Sequence, residues 1–448
     1  MDTLIRKSVL CTFCLHLLLY QSNYSIVKWL LPVFTAFQLF NQRMPVLYNR
    51  FHCHKILFIN NTINPGGFMK NSQFYTLLFW AISLSFVIVS SSCNKEEATQ
   101  SNTSLSSASS SRNAGSAKKS ITVHAGESIQ AAVDAAAPGS TIQIAPGTYM
   151  ESITVNKAGI SLVGNGEAAV VIQNPGDEEN GIQVNDAGDG FVLKNVTVKN
   201  FEENGVLLIR VDNFTISHVT TIDNGEYGLF PVLSSHGLIE HCTATGHTDT
   251  GIYVGQSSDI EMQYNTAYAN VNGLEIENSA NVKATNNQSY NNVCGMLIDL
   301  LPGKTVKTST NVYVGYNHVF DNNHENFGEE GSLESVIPSG LGILILGTDQ
   351  TTVEHNTVMH NNFSGITVFS TLVLVALGGA TPDQFDIEPN PDGTRVIKNV
   401  AQQNGAAPPV LDIPLPGVDL LWDGSGIGNC WSDNVFKTSY PSPLPSCN

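Results

Sequence analysis

Charge is scarce in this chain. Asp, Glu, Lys and Arg together make up 13% of 448 residues. Basic groups are scarcer still once the first 92 residues are set aside. That leader holds seven of the 21 Lys/Arg and one of the 39 Asp/Glu, which leaves 14 bases against 38 acids afterwards. A body carrying a net charge of −24 repels a phosphate backbone, which excludes nucleic acid as a partner. It favours cations, or a neutral or metal-bridged polymer. Metal-ligand cysteine spacing is missing around Cys430 and Cys447, the two cysteines near the end of the chain. Low charge together with 42% apolar residues excludes a wholly disordered chain, and 38 glycines point to a turn-rich architecture rather than a helical one. The length exceeds one compact core and implies two or three units, or one elongated one.

Residues 1–68 are apolar and weakly basic without helical or strand periodicity, and are expected to be an over-long start ahead of Met69. From Met69 the pattern sharpens. Lys70 is followed by the apolar run Phe74–Val89 and then Ser90, Ser91, Ser92 and Cys93, the layout of a secretory signal over 69–92. The alternative is a membrane-spanning anchor, for which the run is slightly short. A cysteine directly after small residues resembles a bacterial lipoprotein signal, with Ser90 where that pattern prefers Leu. The resemblance implies lipid on Cys93, a membrane partner through that anchor, and a place in the cell envelope at the outer membrane or cell surface. Residues 93–120, rich in Ser and Thr, read as a flexible tether whose Lys95, Glu96 and Glu97 resemble the charged tag of surface lipoproteins.

The body, residues 121–448, carries a period. Short apolar strands follow Gly181, Gly205, Gly228, Gly251, Gly273, Gly295, Gly342 and Gly365, at spacings of 24, 23, 23, 22, 22, 47 and 23. The spacing of 47 is one coil plus two insertions, near Leu301–Thr310 and Asn323–Ser339. Asn265, Asn287, Asn317 and Asn356 recur in the same phase, each followed five residues later by Asn270, Asn292, Asn322 and Asn361. Strands this short bury no face alone. Stacked in register about 4.8 Å apart they form an all-β parallel solenoid of about ten or eleven coils, with Ile252, Val254, Leu274, Ile276, Met296 and Ile298 pointing inward. Glycine is expected at the corners, and asparagine in left-handed turns with its amide bonded to the next rung. Ser128 is placed to cap a short helix that closes the stack, with Ile129, Ala132 and Val133 on one face; Thr141–Ile144 and Ile160–Val163 follow as the first strands. Cys242 and Cys294 read as small buried hydrophobes, and Cys430 with Cys447 as a disulfide stapling the C-terminus.

The run Ser128–Gly139, with Pro146, Gly147, Thr148 and Tyr149, resembles the start of right-handed, single-stranded parallel β-helix proteins of the pectate-lyase-like superfamily. Asp249–Ser257 and Asn272–Ser279 resemble secreted bacterial parallel β-helix repeat proteins. The resemblance covers about Ile121 to Asn448. It implies a pectin-lyase-like solenoid with a capping helix and a polysaccharide partner, with activities that range over lyases, hydrolases, epimerases and proteins without chemistry.

Alternation sends Tyr253, Glu275, Glu277 and Asp299 outward from successive coils, with Glu277 one rung from Asp299 and Gln256 and Asn278 at equivalent strand ends. Stacked carboxylates repel, and a cation, a raised pKa, a base or plain water must relieve them. Glu277 and Asp299, with Glu275 beside them, match the hard-oxygen preference of calcium; the alternative is a solvated acidic face. A second group holds Asp223, Glu226, Tyr227, His236, His241, His247 and Asp249. Tyr227–Pro231 resembles a mannuronan epimerase stretch but has Phe230 for its Asp and Val232 for its His. His218, His241 and His355 share a column with Tyr264 and Tyr316, which reads as a partly exposed wall. If the protein is an enzyme, the expected chemistry is proton abstraction beside a uronate carboxylate, followed by elimination or epimerisation, with Tyr253, His247 or Arg210 as base or acid and Gln256, Asn278 and Glu275 on the substrate. A glycoside hydrolase could use the same carboxylates. The alternative function is a noncatalytic surface lipoprotein that binds glycan or scaffolds a partner.

Overall fold

The computed structural model describes residues 119–411 and 414–448. The leader, the signal segment 69–92, Cys93 and nearly all of the tether lie outside the described residues. No helix among the described residues is long and apolar enough to cross a membrane.

The described chain winds into a parallel β-helix. One sheet of eleven strands runs the length of the stack, from Ile153–Val155 to Ser439–Tyr440, and contains every glycine-led segment of the repeat. Two further parallel stacks form the other walls. They join where the eight-residue strands Val192–Lys199 and Thr215–Ile222 pair along their whole length across both. Consecutive coils stay in register: Ile252 lies against Leu274 and Leu274 against Met296, while Val254 lies against Ile276 and Ile276 against Ile298. All six are 0–1% exposed, so the apolar columns form the continuous interior. The first strand is Ser120–Val123, paired with Thr141–Ile144, so the fold begins one strand earlier than the sequence pattern indicated. The helix Ile129–Ala135 packs over this end; Ser128 accepts from the Ala131 amide, and Ile129, Ala132 and Val133 are its buried face. Cys430 and Cys447 are bonded near the other end, and Cys242 and Cys294 are free and buried.

The asparagine columns are hydrogen-bonded ladders. Asn265 Nδ2 donates to Asn287 Oδ1 and Asn287 Nδ2 to Asn317 Oδ1, each at 3.0 Å, and the second column repeats this from Asn270 through Asn361 to Asn404. Two expectations need correction. The left-handed residues are not the ladder asparagines but the ones just before them, such as Tyr264, Asn286, Tyr316 and His355 at φ between 56° and 60°. The repeat glycines do not turn corners either, since none of them has positive φ. A Cβ on Gly251 would lie 2.7 Å from Asn270 Nδ2, and one on Gly295 the same distance from Asn322 Nδ2. Glycine is there to make room for the ladder amide.

Candidate functional site

The site is built on the outward face of the eleven-stranded sheet, where three rungs meet. Tyr253 lies against Glu275, Gly255 against Glu277, and Glu277 against Asp299. The carboxylates of Glu275, Glu277 and Asp299 offer oxygens that all lie within 4.8 Å of one another. They are not a solvated face: their exposures are 3%, 3% and 1%. The two insertions and the excursion 371–392 fold over them, and beyond Asp299 the same face continues as an apolar layer of Leu297, Leu344, Leu346 and Phe369 beneath the cover.

Each carboxylate has its own partners. Glu277 accepts from Tyr253 Oη at 2.9 Å through Oε1 and pairs with Lys304 Nζ at 2.7 Å through Oε2. Glu275 accepts from Asn272 Nδ2 at 3.0 Å and touches the Thr250 hydroxyl, which also lies 2.9 Å from Asp249 Oδ1. That hydroxyl has one proton to give, so one of the two carboxyls carries its own. Asp299 Oδ1 has no hydrogen-bond partner among the described residues. Burial, and then the charge of Asp299, pushes the Glu275 carboxyl well above its usual range; burial, and then Glu277, does the same to Asp299. Asp249 is raised by burial and by Glu334 of the second insertion. Tyr253 is raised by burial and by Glu277, so the phenol keeps its proton. Burial opposes the Lys304 charge, but Glu277 holds its ammonium above the ordinary lysine value.

The other predicted site residues lie elsewhere or do other work. His247 is inside the stack at 0% exposure, between Thr221 Oγ1 and Asn224 O at 3.1 Å each. It occupies the second ladder column, one rung before Asn270, which accepts from its backbone amide, and burial lowers its pKa to about 4. Asn278 is fully buried; its amide donates to Leu301 O and Val306 O, and its carbonyl accepts from the Leu301 amide. Gln256 Oε1 accepts from the amides of Thr305 and Val306. Both side chains fasten the first insertion, so neither faces an open groove. Arg210 is exposed at the same corner, two rungs before Gln256, and makes no ion pair among the described residues. The second predicted group does not assemble. His236 lies at the surface 3.3 Å from Asp212, and His241 stacks between His218 and Tyr264 in the aromatic column, at 4.9 and 5.2 Å. From that group only Tyr227 and Asp249 reach the site; Tyr227 stacks on Phe230 at 4.2 Å and meets Tyr253 edge-on at 5.2 Å.

Sequence reasoning missed Lys304, Thr250, Asn272 and Glu334. Two of the ten bases of residues 121–448, Lys304 and Lys307, fall in one ten-residue insertion beside three stacked acids, and that was the available signal. Lys307 binds Asp386, which also accepts from the Gly303 amide at 3.0 Å and ties the first insertion to the excursion.

A profile described as a right handed beta helix region matches residues 158–300. Among solved structures, the A-module of mannuronan C-5 epimerase AlgE6 from Azotobacter vinelandii is 17% identical, covering 71% of this chain and 92% of its own at a TM-score of 0.52. The A-module of AlgE4 from the same organism is 16% identical, with 71% and 94% covered and a TM-score of 0.49. An alginate lyase from Paenibacillus sp. strain FPU-7 is 14% identical, with 74% and 99% covered and a TM-score of 0.37. No curated protein matches the sequence. The molecule is a parallel solenoid of the right-handed hand. Its fold is the right-handed parallel β-helix.

Proposed function

We propose that the protein acts on a uronate-containing polysaccharide, as a lyase or epimerase, at the Tyr253–Glu277–Lys304 cluster. The observation that carries this reading is the contact of the Tyr253 phenol with Glu277 at 2.9 Å, beside carboxyls held above their usual range. Acid and base roles belong to neighbouring groups whose proton affinities are pushed apart. Tyr253 retains its proton and serves as donor; Glu275, whose proton affinity burial raises, is in its ionised form the acceptor for the proton beside the substrate carboxylate. The oxygens of Glu277 and Asp299 suit a hard divalent ion, and the orphaned Asp299 Oδ1 leaves a donor free for it. Calcium held there would neutralise a uronate carboxylate and offset the repulsion between an acidic body and an acidic polymer. Lys304 supplies a positive charge at the same place from the protein itself. Access requires the segment 301–310 to release Gln256 and Asn278. The structural likeness to an epimerase A-module supports a related use of this fold.

A second reading has its own support. Tyr253, Glu275, Glu277 and Asp299 are each at most 3% exposed, which favours a noncatalytic glycan-binding or scaffold protein. A lipid on Cys93 would place either form at the cell envelope, and Cys93→Ser expressed with a labelled fatty acid tests that anchor. Incubation with panels of alginate and pectate, with and without calcium, tests the enzyme. A rise in ultraviolet absorbance supports elimination, and a changed uronate ratio supports epimerisation. No change on any polymer, with glycan affinity unaffected by Glu277→Gln and Asp299→Asn, rejects catalysis at this face.

A further inference from the structure

Beneath the cover, against the carboxylates, lies a narrow cleft that opens partly to solvent. Its wall is aliphatic, including Leu297, Leu301, Leu333, Leu344, Leu346 and Leu374, and no aromatic ring lines it. The charged groups that reach it are Glu275, Asp299 and Glu334, all acids. Asp299 is 1% exposed and its Oδ1 has no hydrogen-bond partner among the described residues. A sugar does not suit these walls, because its hydroxyls would be buried against hydrocarbon without partners. A divalent ion would sit among the carboxylates, as proposed above, and leave the aliphatic wall uncovered. A neutral hydrocarbon suits the walls but leaves the Asp299 oxygen unpaired. One chemistry satisfies both: a cationic donor on an aliphatic chain.

We propose that this cleft binds an aliphatic amine, with its ammonium donating to Asp299 Oδ1 and its hydrocarbon lying against Leu301, Leu344 and Leu374. The site shares Asp299 with the proposed calcium position and borders Glu275, but it goes beyond the polysaccharide reading and does not rest on it, since the leucine wall lies past the Tyr253–Glu277 contact.

Isothermal titration of the full chain with butylamine, hexylamine and octylamine tests this, with hexanol, hexanoate and calcium chloride as comparisons. Saturable amine binding is expected, tightening about fourfold for each added methylene that the wall buries. Hexanol and hexanoate should bind at least about tenfold more weakly than hexylamine, the difference one charge-assisted hydrogen bond makes. Asp299→Asn should cost hexylamine a similar factor. Leu374→Trp, which fills the cleft from the cover, should abolish amine binding. The proposal is overturned if hexanol binds as tightly as hexylamine, if neither substitution weakens the amine, or if calcium binds and no amine does. A failure of turnover on every uronan, with amine binding intact, rejects the polysaccharide reading and leaves this one standing.

Discussion

Tyr253 and Glu277 meet because Gly255 lies between them. The phenol reaches Glu277 Oε1 at 2.9 Å by crossing the space above position 255, where a Cβ would sit 1.9 Å from the Tyr253 oxygen. An alanine there must push the ring away. Tyr253→Phe should therefore lower turnover of a uronan by a factor of about 10² to 10⁴, the range for loss of one positioned acid or base. Gly255→Ala should give a similar loss with the tyrosine still present. Steady-state rates of both variants, with circular dichroism to confirm folding, check the pair. Turnover unchanged in Tyr253→Phe removes the tyrosine from the mechanism.

The acid limb of stability should belong to His247. Its pKa falls from an ordinary 6.5 unfolded to about 4 when buried, so the native state refuses a proton that the unfolded chain accepts. The contribution is fully present above pH 6.5 and is lost as pH falls toward 4, by about 3 kcal/mol. Its neighbours in the ladder column, Asn224 and Asn270, do not titrate. His247→Asn should continue the ladder and flatten this limb. Urea midpoints at pH 7, 5.5 and 4 for both proteins measure it, and an equal loss in both contradicts the assignment.

The carboxyls act in the opposite direction. Glu275 and Asp299 have raised pKa values in the folded state, so they favour the native state at low pH, and this contribution is lost as pH rises above the ordinary carboxylate range. Asp299→Asn removes a buried charge whose Oδ1 has no partner. It should stabilise the metal-free protein at pH 8 by about 1 kcal/mol or more, with little effect at pH 4. Thermal melts in chelator at the two values test the sign. A destabilised variant at pH 8 would mean that Asp299 is already paired.

How the fold could be read in advance follows from these residues. Period, inward columns and asparagine ladders are properties of a stacked repeat, so spacing alone located the Glu277–Asp299 contact and its neighbour Glu275. The insertions have no period. Nothing in the repeat tells that Asn278 and Gln256 bind the backbone of 301–310, that Lys304 reaches back to Glu277, or that the acidic face is covered. His247 was misplaced for a related reason. A polar side chain in an inward ladder column looks like a surface histidine until the column is followed through Asn270, and the role of glycine changed once the amide beside each was located.

The ladder itself should be costly to break. Asn292 Nδ2 donates to Asn322 Oδ1 at 2.9 Å, and its Oδ1 accepts from the Asn270 amide at 2.9 Å, all fully buried. Asn292→Ala leaves a backbone donor unsatisfied in the interior and should cost about 2 kcal/mol or more. Gln288→Ala, exposed on the same coil, should cost well under 1 kcal/mol by the same chemical denaturation. Equal losses would contradict the ladder's structural role.

Elimination and epimerisation share one first step, removal of the proton at the carbon next to the uronate carboxylate. Epimerisation then returns a solvent proton to that carbon, whereas elimination expels the 4-linked oxygen and leaves an unsaturated carbon that carries no hydrogen and absorbs in the ultraviolet. Incubating alginate and pectate with the protein in deuterium oxide, and reading deuterium at that carbon by mass spectrometry together with ultraviolet absorbance, therefore tests both at once. Either signal with the wild-type protein and neither with Tyr253→Phe is the predicted result. Neither signal in any polymer that demonstrably binds would contradict the assignment of this site to catalysis.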